Sequence, residues 1–350
     1  MAETRVFDDT EQEIIPFRYS ITSYGADYPV DSLVQRLEKD VLFVPAFQRK
    51  FVWTINQASR FIESLLLGLP VPGVFLARDE PSAKLFIIDG HQRLRTLQYF
   101  YNGLFRGKEF ALRNVQSRYE GETYKTLKSE DQLRLNDSII HATIIRQDEP
   151  SDDQSSVYHI FERLNTGGTL LHPQEIRACI FHGPFNDLLD EFNIGNAWRN
   201  VYGPPSNRLK DQELILRFFA LFFSSDSYSR PMKDFLNKFM GANRFLTRIP
   251  RDDLHKAFFP TIELIDKIFG SGAFRPERAL NAAVFDSVMV ALARRLKHDK
   301  IKKPESLKKA YQRLLKDKDY VSSVKTGTSD ETNVENRLSK ATDTFSKIIS

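Results

Sequence analysis

Residues 87–97 read Ile-Ile-Asp-Gly-His-Gln-Arg-Leu-Arg-Thr-Leu: an apolar run closes on Asp89-Gly90, and residues of helical spacing follow. Strand, tight turn and helix start in that order leave backbone N–H groups unpaired at the positive end of a helix dipole. Gly90 would let an anion come close to that backbone, phosphate above all. Arg93 brings a guanidinium into the first turn, where it can hold two phosphate oxygens at once, whereas Arg95 points to a different face. A purely structural reading fits the same spacing, because Asp89-x-x-Gln92 has the form of a capping box that closes the helix start on itself.

A second polar cluster runs from Phe161 to Leu170 and holds Asn165-Thr166-Gly167-Gly168. Such a run can form a backbone nest for an anion. It can equally end a helix in a left-handed cap, the helix here being expected to start at Ser151-x-x-Gln154. Pro173, with Glu175 in its first turn, predicts the start of the next helix. GxxxxGK[ST], GxGxxG after a strand and HExxH do not occur, which removes the ordinary P-loop and zinc-protease readings. His91, His141, His159, His172 and His182 do not fall at metal-ligand spacing, so no metal set is assigned.

The elements that must position these residues are readable around them. Thr54-Ile55-Asn56-Gln57 predicts a capped helix start, and Ala58, Phe61, Ile62, Leu65 and Leu66 repeat at helical spacing up to Gly68. Pro70 and Pro72 follow, then strand-type runs at Val74–Ala77 and Leu85–Ile88; further runs of that type are Val41–Val44 and Ala142–Ile145. Leu94, Leu97 and Tyr101 share a face of the helix after Gly90, and Asn102-Gly103 ends it. Beyond residue 150 nearly everything has a helical period. The expected fold class is α+β, with residues 1–150 an N-terminal core and residues 151–350 an all-helical part carrying basic C-terminal helices. Phe218–Phe223 is read as the core of that helical part, with an exposed partner face as the alternative.

With 50 Lys and Arg, 46 Asp and Glu and 41% apolar residues, the 350-residue chain is neither disordered nor fibrous. Its one cysteine, Cys179, is expected to be a buried inert thiol, which fits a reducing compartment. The acidic opening MAETRVFDDTEQ has no secretory character, and the most apolar stretch, Leu214–Phe223, is too short for a bilayer. A cytoplasmic protein is expected. Residues 289–320 hold eleven Lys and Arg against four Asp and Glu, while the other 318 hold 39 against 42. That local excess marks either a surface facing a polyanion or a pair of solvated amphipathic helices.

Three blocks in order, Val44–Trp53 (VPAFQRKFVW), Ile87–Leu97 and Phe161–Thr169, resemble the signatures of the GmrSD-type restriction endonuclease N-terminal domain family, whose core is ParB/sulfiredoxin-like. The tail Thr326-Gly327-Thr328-Ser329 and the helix near Asn336-Arg337 are similar to that family's ending. The resemblance implies a bacterial antiphage or type IV restriction system, in which the domain is associated with nucleotide hydrolysis and sensing of modified DNA. Carried over, Asp89, Gly90, Gln92 and Arg93 match the family's DGQQR motif, with His91 standing where its first Gln would be.

The resemblance thus implies a catalytic set of Asp89, His91, Gln92 and Arg93. The nucleotide-binding set would be Gln48, Arg49, Gly90 and Arg93 with Asn165, Thr166, Gly167 and Gly168, and the ligand a nucleoside triphosphate with Mg²⁺. Lys302, Lys303, Lys308 and Lys309 would meet DNA phosphates. An HNH nuclease pattern, carried by many relatives, does not occur in the chain, so DNA cutting would need a separate nuclease or defence subunit; self-association is a further expectation. The rival reading is a non-enzymatic DNA-binding or scaffold subunit. A nuclease built on the same core is disfavoured by a single carboxylate, Asp89, where two-metal cleavage needs several oxygen ligands.

Overall fold

In chain order the strands are β1 (Val6–Phe7), β2 (Ser20–Pro29), β3 (Leu42–Phe43), β4 (Val74–Arg78), β5 (Leu85–Asp89), β6 (Leu104–Phe105), β7 (Lys108–Glu109), β8 (Ile139–Glu149) and β9 (Leu280–Asn281). They come from a computed structural model that describes residues 6–7, 20–43, 51–78, 83–149, 158, 160, 162, 172–299, 301 and 303–348. Gln48, Arg49, Asn165, Thr166, Gly167, Gly168, Lys302 and the helix start expected at Ser151 lie outside the described residues. Two compact units divide the chain: Tyr19–Ser151 with His159–Leu170, and Met1–Arg18 with Asp152–Tyr158 and Leu171–Ser350.

The first unit is built on a five-stranded mixed sheet of order β2-β8-β4-β5-β3, in which β4 runs parallel to β8 and antiparallel to β5. Register puts Leu76 opposite both Ile87 and Ile144, so one row of apolar side chains crosses the sheet. Helices α1 (Val30–Glu38), α2 (Ile55–Leu66), α3 (His91–Asn102) and α4 (Ser129–Asp137) accompany it. Leu33, Ile62, Leu66, Leu94, Leu97 and Phe100 join that row in one buried core. The start of α2 is the expected capping box, with the Gln57 N–H donating to Thr54 Oγ1 and the Thr54 N–H to Gln57 Oε1. Gly103, in the left-handed region at φ +73, ends α3. β2 is a ten-residue edge strand, and its polar sequence SITSYGADYP gives no apolar signal of a strand.

The second unit packs α5 (Pro173–Ile180), α6 (Pro184–Asn193), α7 (Asn196–Tyr202), α8 (Lys210–Ser224), α9 (Met232–Asn243), α10 (Arg251–Phe269), α11 (Ala282–Leu296), α12 (Pro304–Leu314), α13 (Lys318–Ser323) and α14 (Glu331–Ser346). The Phe-rich segment lies in α8 and is core: Phe218 and Phe219 are fully buried and pack on Phe258 of α10 and on Phe192 of α6. Cys179 is buried, as expected. The expectation of an all-helical part needs one correction, since β9 pairs in parallel with β1. The physical reason is the cap of α11: Asn281 Oδ1 accepts the Val284 N–H at 2.9 Å, which requires extended backbone just before the helix.

The basic segment 289–320 also divides differently from a pair of solvated helices. α11 is buried along its length to Ala293, whereas α12 is amphipathic, with Leu307, Ala310 and Leu314 inward and Lys308, Lys309 and Arg313 exposed. Among the described residues no helix is long and apolar enough to cross a membrane.

Candidate functional site

Gly90 links the end of β5 to the start of α3 at φ +98, a conformation that L side chains rarely adopt. A Cβ on Gly90 would sit 2.5 Å from Val74 Cγ1 and 3.1 Å from Arg93 Nη2, so the absence of a side chain is required twice over. No side chain caps α3. The expected Asp89–Gln92 capping box does not form, because both residues have other partners. Asp89 Oδ2 accepts from Arg93 Nη2 at 2.8 Å, one helical turn on. The Arg93 side chain keeps 15% of its surface exposed against 48% for Asp89, and Arg93 Nε is buried with no hydrogen-bond partner among the described residues.

Gln92 reaches back in sequence to the segment before α2. Its Oε1 accepts the backbone N–H groups of Val52 at 3.0 Å and Trp53 at 3.2 Å, and its Nε2 lies 2.6 Å from His91 Nε2. The carbonyls of the same segment are held by Arg106, whose Nη2 donates to the Phe51 oxygen at 2.7 Å and to that of Trp53 at 3.4 Å. Arg106 is presented by the turn of the β6–β7 hairpin, where Arg106 and Gly107 both have positive φ, as a two-residue turn between twisted strands demands. Its guanidinium also lies over the rings of Phe51 and Phe105, and Phe51 sets its edge on Tyr99. Sequence reasoning missed Arg106; the turn pair Arg106-Gly107 directly after Leu104-Phe105 was the available signal.

The structure therefore brings Asp89, Gly90, His91, Gln92 and Arg93 together at one helix start. Lys303, Lys308 and Lys309 belong to the helical unit, at the start of α12, where all three are exposed and Lys308 pairs with Glu305 at 3.4 Å.

The helical unit has a polar system of its own. His172 caps α5, and Glu175 closes the box by accepting the His172 N–H at 2.6 Å. Arg177, almost fully buried, donates to Glu213 at 2.8 Å and to Asn237 at 2.8 Å. Burial alone would raise the Glu213 carboxyl, but Arg177, His172 and Arg217 together hold it below the usual range. Burial lowers His172, favouring its neutral form. One turn along α8 from Glu213, Arg217 makes two bonds to Asp286, at 2.8 and 3.1 Å, and Arg337 of α14 adds a third at 3.2 Å. Arg337 also donates to the Thr328 carbonyl at 2.6 Å, which anchors the Thr326–Ser329 turn from inside.

Residues 30–182 match the family model described as GmrSD restriction endonuclease, N-terminal domain. Over this stretch the chain is similar to a GmrSD N-terminal domain. The GmrSD match runs from the first residue of α1 to just beyond α5, and so takes in the Gly90 turn, the Phe51–Trp53 segment and the His172 cap. The match suggests a restriction or defence system acting on DNA. No curated protein matches the chain.

Proposed function

We propose that the chain is a nucleotide-binding, NTP-hydrolysing sensor subunit of a bacterial antiphage or type IV restriction system acting on DNA, its sheet unit being a ParB/sulfiredoxin-like core. The observation that carries this reading is Gly90: a left-handed glycine with no room for a side chain, at the uncapped start of a twelve-residue helix, with the Arg93 guanidinium beside it. Backbone N–H groups and the helix dipole favour phosphate there. The Asp89–Arg93 pair is half-exposed on the Asp89 side, so a phosphate displaces the carboxylate at a cost of about 1 kcal/mol or less. Arg93 Nε, which lacks an acceptor among the described residues, adds a donor for the incoming phosphate.

Gln48, Arg49 and the Asn165–Gly168 run would complete the pocket. Mg²⁺ arriving with the nucleotide would offset phosphate charge, Asp89 being the carboxylate at hand. DNA would contact the exposed basic face of α12 with Lys302 and Lys303 before it, and a separate nuclease would do the cutting. The rival reading, binding without turnover in a scaffold, draws support from the His91–Gln92 contact, which occupies the ring nitrogen that a general base would use.

The test is phosphate release from ATP, GTP, CTP and UTP with Mg²⁺, with and without DNA, alongside nucleotide binding, for the wild type and Arg93→Ala. Loss of a charged hydrogen bond of about 1.5 to 3 kcal/mol should weaken binding roughly 10- to 100-fold in the variant. Unchanged affinity removes Arg93 from the site; binding without release in the wild type selects the scaffold.

A further inference from the structure

We infer that Gln92 is a positioning residue: together with Arg106 it clamps the backbone of Phe51–Trp53 from both hydrogen-bonding sides, and so couples the start of α3 to the segment that leads into α2. Two converging N–H donors fix the Gln92 amide, because the flipped orientation would aim its NH₂ at the N–H groups of Val52 and Trp53. Both lone pairs of Oε1 are then committed to the chain rather than to a ligand. Nε2 must be the donor in the 2.6 Å contact with His91, whose ring nitrogen accepts.

Arg106 completes the clamp from the carbonyl side. A single nitrogen, Nη2, donating to both the Phe51 and Trp53 oxygens, on a guanidinium that lies over two aromatic rings, leaves the segment little freedom to slide. The residues of the motif around Gly90 thus divide their work within a single helical turn: Gly90 and Arg93 lie at the proposed phosphate position, while Gln92 holds the Phe51–Trp53 segment.

Amide hydrogen exchange in the full chain reads the clamp directly at the peptide covering Phe51–Thr54, with the α2 peptide Ile55–Leu66 as the internal reference for folding. Gln92→Leu removes both acceptors, so exchange of Val52 and Trp53 should accelerate about 10- to 30-fold with α2 unchanged. Gln92→Glu keeps two accepting lone pairs and should restore the protection, and Arg106→Ala should lower it from the other side. Equal protection in the wild type and Gln92→Leu overturns the clamp, as does equal loss in Leu and Glu variants.

Discussion

Helix α3 carries a left-handed glycine at each end, and the two differ in one respect that can be measured. Gly103 has φ +73 and a Cβ there meets nothing within 4 Å, whereas Gly90 has φ +98 and a Cβ there meets Val74 Cγ1 at 2.5 Å and Arg93 Nη2 at 3.1 Å. Gly103→Ala therefore carries the backbone term alone, about 1 to 2 kcal/mol for an L residue in the left-handed region. Gly90→Ala carries a similar term plus overpacking of about 1 to 3 kcal/mol, for a total of roughly 2 to 5. Urea unfolding of the full chain measures both if the sheet unit has its own signal. Trp53 and Trp198 are the two tryptophans of the sequence, so a Trp198→Phe background leaves Trp53, packed against Phe61, to report on that unit. Equal losses for the two glycine variants would refute the argument that Gly90 is required by close approach as well as by its φ.

The remaining predictions concern the helical unit. Asp286→Ala leaves Arg217 and Arg337 buried side by side without their shared carboxylate, and should destabilise by about 3 to 5 kcal/mol in thermal or urea unfolding. Adding Arg217→Met and Arg337→Met should recover most of that loss; no recovery would mean that packing rather than charge is at stake. His172, held below its ordinary value of 6.5 by burial, binds its proton more weakly in the folded chain than in the unfolded one. Stability should therefore fall as pH drops from 6.5 toward the lowered value, and His172→Asn, which can still cap α5, should flatten that slope. Lys309, Arg313 and Lys316 form no ion pair among the described residues, and their spacing places them along one face of α12 and its C-terminal end. If they meet DNA phosphates, changing all three to Gln should lower the slope of log affinity against log salt by about 2 to 3; an unchanged slope makes the face merely solvated.

What the sequence revealed of this fold was what is local. The capping box of α2, the glycine end of α3 and the Pro173 start of α5 are all set by residues within four positions of one another, and each formed as expected. β2 was invisible because an exposed edge strand needs no apolar alternation, and SITSYGADYP has none. At the site, the order of strand, glycine and helix was legible, yet the capping box assigned to Asp89 and Gln92 was not made. Gln92 bonds to residues 39 and 40 positions away, and no local pattern announces such partners. For Arg217, inside the apolar run Leu214–Phe223, the partner Asp286 lies 69 residues further on, beyond the reach of any local pattern.

The strand pairing of β1 with β9 has a consequence in time. Val6 waits for Leu280 through roughly 270 residues of synthesis, which at about 5 to 20 residues per second is on the order of 15 to 50 seconds. During that interval every strand of the five-stranded sheet has been made, while α11 and its apolar face have not. The opening residues thus belong to the unit that is finished last, and the chain crosses between the two units four times on the way. A fluorescent label joined ahead of Val6 would accordingly follow the late, helical unit as it closes, and not the sheet whose residues are its immediate neighbours in sequence.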